Sequence, residues 1–219
     1  MTMQFLRVAG IALALPVIAL AAASAPRELA EVLRAKPDQV HGAQLFEQCI
    51  ACHRADGGGE SNGSIPRIAN QHYRVLAKQL VDFRYGKRWD SRMESMADRH
   101  HLEGAQDIAD VSEYVSQLAQ PDARGVGGGE FVETGREIFE KDCQSCHGAD
   151  AQGDAERGVP RLDGQHYGYL MRQMYDAVDG RRPALSKLHS QRIAPLDFQQ
   201  VRAVSDFLAR VGWNPGTVR

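Results

Sequence analysis

The stretch Cys49-Ile50-Ala51-Cys52-His53 returns 94 positions later as Cys143-Gln144-Ser145-Cys146-His147, and the two copies use all four cysteines of the chain. A four-cysteine zinc site would leave the two trailing histidines without a purpose. A thioredoxin-like redox pair belongs beside a strand–helix–strand pattern, which the chain lacks. A plain disulfide across four residues needs no histidine. Covalent haem attachment accounts for every position. On a helical turn residues i and i+3 face one side, so Cys49 and Cys52, like Cys143 and Cys146, can form thioethers to haem vinyl groups. His53 and His147 then offer a ring nitrogen to the iron.

The repeat extends beyond the cysteines. Ile65 to Arg88 aligns without a gap on Val159 to Arg182, at the same spacing of 94. A period of that length means duplicated domains rather than a solenoid. The segment Gln120 to Glu130, with one proline and four glycines, reads as a flexible connection. The boundaries expected are therefore 26–120 for an N-terminal domain, 121–130 for a linker and 131–219 for a C-terminal domain. Periodicity is helical in both halves: Ile108, Val111, Val115 and Leu118 share one face, and Phe198, Val201, Val204 and Leu208 share another. Gln71–Tyr85 and Gln165–Val178 also carry apolar residues at intervals of three and four. Two all-α domains of this size hold little apolar core alone, and a haem would fill each.

Residues 1–25 have the make-up of a secretory signal peptide: Arg7, then an apolar run from Val8 to Leu20, then small residues ending in Ala23-Ser24-Ala25. Cleavage after Ala25 fits, with Ala22 or Ala23 as alternatives because Pro26 follows. Export to the periplasm is expected; an uncleaved segment would instead hold the protein at the membrane surface. With 26 basic and 28 acidic residues the chain offers no basic face for nucleic acid.

The tandem CxxCH motifs, the segments Pro66-Arg67-Ile68 and Pro160-Arg161-Leu162 leading to Gln71-His72-Tyr73 and Gln165-His166-Tyr167, the turns Gly86-Lys87-Arg88 and Gly180-Arg181-Arg182, and the closing amphipathic helices together resemble the class I dihaem cytochromes c of the cytochrome c4-like family. The likeness covers nearly all of the chain after residue 25. It implies two tandem class I cytochrome c domains, each wrapped around one covalently bound haem c and its iron. It also implies that the Pro66 and Pro160 carbonyls orient the proximal histidines, and that Tyr73, Tyr167, Arg88 and Arg182 face haem propionates. The alternative for these four is helix packing and a solvated turn. His72 and His166 read as structural.

On the far side of the first iron the family pattern implies Met93, with Met96 as the alternative. The second half has no methionine in the matching stretch, Arg181 to Leu196. One frame sets Leu185 and Leu188 against the two methionines, and a shift of one residue sets His189 against Met96. His189, Lys187, Met171, Met174 or an open iron are the candidates. A thioether raises the potential and a second imidazole lowers it.

The implied function is a dihaem carrier of single electrons between redox proteins: a dehydrogenase, a quinol-oxidising complex, or a terminal oxidase or reductase. The competing reading is the haem subunit of a thiosulfate or sulfide dehydrogenase, or a catalytic haem with an open second iron. The second half shows no acid–base constellation of the kind substrate chemistry would need.

Overall fold

A computed structural model describes residues 24–212. The export-signal reading concerns residues that lie, apart from the last two, outside that range. The first half contains α1 (Ala25–Val32), α2 (Gln39–Phe46), α3 (Ile50–His53), α4 (Tyr73–Arg84), α5 (Ser91–Met96) and α6 (Ala105–Gln117). The second contains α7 (Val132–Asp142), α8 (Gln144–His147), α9 (Tyr167–Val178), α10 (Lys187–Ile193) and α11 (Phe198–Arg210). Among the described residues there is no strand, only an isolated bridge between Asp154 and Val159.

Each half is built on one close helix crossing, α2 on α6 and α7 on α11. Glycine makes both crossings possible. A Cβ on Gly42 would stand 2.2 Å from the Asp110 carbonyl oxygen, and one on Gly135 would stand 2.0 Å from that of Ala203. The helix ends are set by short polar side chains. The Asp38 carboxylate accepts from the Val40 and His41 N–H groups, and Asp197 forms a reciprocal capping box with Gln200 at the start of α11.

The first core gathers Val32, Phe46, Val81, Leu102, Ile108, Val111 and Val115; the second is thinner, with Phe139, Leu170, Val204 and Leu208 as its large members. The difference comes partly from α1, which has no counterpart in the second half. It is pinned by buried Glu28, which pairs with Arg84 of α4 and, at 3.3 Å, with Arg99. One expected core residue is displaced: Phe198 is 58% exposed. It is the first residue after the Asp197 cap, ahead of the point where α11 meets α7, and the Arg202 guanidinium lies over its ring instead.

The connecting glycines serve a purpose other than flexibility. Gly127 and Gly129 N–H groups donate to the Asp206 carboxylate at 2.8 and 2.7 Å, and Arg210 donates to the Gly127 carbonyl, so the segment is strapped to α11. A Cβ on Gly127 would collide with that carboxylate.

The two halves hold each other through a pair of matched histidines. His72 and His166 precede α4 and α9. His72 Nε2–H donates to the Gln152 carbonyl at 2.8 Å, and His166 Nε2–H to the Gly58 carbonyl at 2.7 Å. Donors and acceptors in both bonds correspond at the repeat spacing of 94, so the bonds are related by a pseudo-twofold axis. His166 goes further: its Nδ1 accepts from the Gly125 N–H of the linker, and the whole residue is buried.

Candidate haem sites

Each CxxCH motif ends in a single helical turn, α3 or α8, that delivers its histidine inward. His53 and His147 are each 6% exposed, while Cys52 and Cys146 lie at the surface and Cys49 and Cys143 are half-buried. The four thiols form no disulfide with one another, which leaves both members of each pair for thioether formation.

The orientation of the histidines follows from one hydrogen bond apiece. His53 Nδ1 lies 3.1 Å from the Pro66 carbonyl and His147 Nδ1 lies 3.2 Å from that of Pro160. A carbonyl can only accept, so Nδ1 carries the proton and Nε2 keeps its lone pair for a metal. Burial pushes both histidines below their ordinary pKa, which keeps the rings neutral. The loops from histidine to proline close through Gly59 and Gly153, which have φ of +69° and +72° and donate to the His53 and His147 carbonyls. A Cβ on either would stand about 2.5 Å from the proline-loop carbonyls.

In the first half, α5 carries Met93 and Met96, both half-buried. The Asp90 and Arg92 charges at its start act on His53, and that of Arg92 on the Cys52 region, so this helix fronts the first motif. In the second half, α10 takes the same place. The His189 ring lies with its centroid 6.1 Å from that of His147, the two planes inclined at 62°. His189 Nδ1 is buried with no hydrogen-bond partner. Burial, followed by the nearby His147 and Arg182, pushes the His189 pKa down to about 4, so the ring is neutral at ordinary pH.

The helix caps decide how the two stretches align. Asp90 caps α5 and accepts from Met93 N–H; Ser186 caps α10 and accepts from His189 N–H. Met93 and His189 are therefore both the third helical residue. Neither sequence frame found this, because the second half has two additional residues between its Gly180 turn and the helix cap: four residues from Gly86 to Asp90, six from Gly180 to Ser186.

Other candidates lie elsewhere. Met174 packs on the second core and its Sδ accepts from Ser205 Oγ at 3.9 Å. Lys187 is exposed at the first position of α10. Tyr73 OH donates to the Val32 carbonyl at 2.8 Å, and Tyr167 OH accepts from Arg202 Nε at 3.4 Å, so both hydroxyls serve helix packing in this arrangement. Arg88 and Arg182 behave differently. They approach the same residue, Gln79, from opposite halves, at 2.7 and 3.3 Å. Burial and the neighbouring Arg88 push the Arg182 pKa down to about 10. Two guanidinium groups brought together in this way favour anionic company, which haem propionates would supply. With the free Nε2 atoms and the orphaned His189 nitrogen, the donor set fits haem in both halves.

The family model for cytochrome c matches residues 39–119 and again 132–212. The chain is 30% identical over 188 residues to cytochrome c4 of Pseudomonas aeruginosa, covering 82% of this chain and 92% of that one. It is 32% identical over 179 residues to the thiosulfate dehydrogenase electron acceptor of Thiomonas intermedia, covering 76% and 80%. Reduced recombinant cytochrome c4 from Pseudomonas stutzeri superposes with a TM-score of 0.71 at 25% identity, over 80% of this chain and 100% of that one. The chain belongs to the cytochrome c family. It is a dihaem, cytochrome c4-like protein of two tandem domains, with haem c bound covalently at motifs 49–53 and 143–147.

Proposed function

We propose that this dihaem electron carrier has two chemically unequal irons, with His53 and Met93 on the first and His147 and His189 on the second. The observation that carries the reading is the His147–His189 separation. Two imidazoles on opposite sides of one metal, with bonds of about 2 Å each, have centroids roughly 6 Å apart, and these rings are 6.1 Å apart. Thioethers from Cys49, Cys52, Cys143 and Cys146 anchor the groups. When bound, haem supplies a one-electron ferric–ferrous couple; the chain supplies ligands, burial and a docking surface.

The protein's own residues set the inequality. A soft thioether from Met93 favours the ferrous state, whereas a second imidazole favours the ferric, so the first site is the better electron acceptor. Pro66 and Pro160 hold the proximal rings, and Arg88 and Arg182 offset propionate charge. Met96 lies one turn further along the same helix as Met93. The unpartnered nitrogen of His189 supports a ligand role over an open second iron.

Export to the periplasm fits the N-terminal segment, and among the described residues no helix is long and apolar enough to cross a membrane. Likeness to a thiosulfate dehydrogenase electron acceptor favours a sulfur-compound dehydrogenase as the electron donor. Stopped-flow mixing tests this: reduction by thiosulfate should require the dehydrogenase. Direct reduction by thiosulfate alone would favour the catalytic alternative. The ligand assignment is tested by the visible spectrum of a His189→Ala variant, which should lose its second low-spin haem; an unchanged spectrum would refute it.

A further inference from the structure

Each domain reaches into the loop that orients the other domain's histidine. Gln165 lies immediately before His166, and its Oε1 accepts from Arg67 N–H at 3.0 Å while its Nε2–H donates to the Arg67 carbonyl at 2.8 Å. Gln71 does the same in reverse, its Oε1 accepting from Arg161 N–H at 3.0 Å and its Nε2–H donating to the Arg161 carbonyl at 3.0 Å. Arg67 N–H belongs to the same peptide group as the Pro66 carbonyl, which accepts from His53. Arg161 N–H likewise shares its peptide group with the Pro160 carbonyl, which accepts from His147. A continuous chain of hydrogen bonds thus runs from a glutamine of one half, through a single peptide unit, to the proximal histidine of the other.

We infer that Gln165 and Gln71 are positioning residues that act across the domain interface, each setting the strength of the histidine ligand in the opposite half. The physical route is polarisation. An acceptor on the N–H of a peptide group makes its carbonyl a stronger acceptor. A stronger acceptor at Nδ1 makes the imidazole more basic and a better donor to a metal. Both glutamines are fixed for the task, because each Oε1 also accepts from the N–H of the histidine that follows, at 3.0 Å for His72 and 2.9 Å for His166. Gln165 is buried. Domain docking and haem potential are therefore linked, and loosening the interface would weaken both proximal ligands.

The inference rests on haem attachment at the two motifs and is independent of which groups bind the far sides of the irons. The test is spectroelectrochemistry of the holoprotein, with the two haems followed separately through their hyperfine-shifted NMR signals. Gln165→Ala should raise the potential of the His53 haem and leave that of the His147 haem in place. Gln71→Ala should raise the potential of the His147 haem and leave that of the His53 haem in place. No change in either potential, equal change in both, or change confined to the variant's own domain would overturn the inference. Should a variant fail to retain its full haem complement, loss of the opposite domain's haem alone supports it, and loss of its own or of both counts against it. Gln165→Met, which keeps the bulk without the hydrogen bonds, should reproduce the Gln165→Ala shift.

Discussion

Met93 and His189 occupy one structural position: each is the third residue of its helix, and each N–H donates to the capping side chain, to Asp90 at 3.4 Å and to Ser186 at 3.2 Å. Under the proposed ligation, a duplicated domain keeps the scaffold around the far side of the iron and changes the atom it presents. The thioether and the imidazole differ in softness, and the same backbone device delivers both.

Exchange at that position should move the potentials in opposite directions. His189→Met should raise the second haem by on the order of 0.1 V, and Met93→His should lower the first by a similar amount, both inside the roughly 0.8 V that axial ligands span. Spectroelectrochemical titration of each variant checks this. Shifts of the same sign in both variants would contradict it.

Gly153→Ala should destabilise the second domain by about 1–3 kcal/mol for an L-residue held at positive φ, and by more if the loop cannot yield. The new Cβ would stand 2.4 Å from the Val159 carbonyl oxygen and 2.6 Å from that of Pro160. Guanidinium unfolding followed in the haem absorption band reads the loss directly.

Glu28→Ala should cost the first domain about 3–5 kcal/mol, the usual penalty for leaving a buried charge without its partner. The orphaned group is Arg84, whose side chain is 5% exposed and which also donates to the Ala97 carbonyl. Thermal unfolding should show the N-terminal domain melting first in the variant. A Tm within a degree or two of the parent would refute this role for α1.

Stability of the first domain should fall as pH rises through the neutral range. The hydrogen bond from His41 Nδ1–H to Asp110, at 2.8 Å, together with the Asp107, Asp110 and Asp38 charges, raises the His41 pKa above its ordinary value. A raised pKa means that the fold favours the charged ring. The contribution is complete below the unfolded value of about 6.5 and disappears as pH passes the folded value. Denaturant midpoints measured across that range should decline in the parent and stay level in His41→Gln.

Much of the fold was legible because it is written at short range. The helical periodicities gave α4, α6, α9 and α11, and the cysteine spacing gave both attachment turns. Pro66 and Pro160 could be named from family resemblance, and each accepts from the histidine of its own half. Phe198 was misplaced because periodicity does not reveal where along a helix the packing begins. The partner of His41 was invisible, since Asp110 lies on another helix far along the chain. Matched pairs were easier to notice than to interpret. Gln71 with Gln165, and His72 with His166, stood out in the repeat, yet their bonds run between the copies rather than within them. The equivalence of Met93 and His189 was hidden by the two additional residues before Ser186, which break the register just ahead of α10.

The proposed ligation of the second iron is tested most directly by an EPR-monitored redox titration of the purified protein. Two low-spin ferric species are expected. One should show thioether ligation and titrate at the higher potential; the other should show bis-imidazole ligation at the lower. Two thioether-type species with equal potentials, or a second haem that is high-spin and binds carbon monoxide on reduction, would contradict the ligation of that iron by His147 and His189.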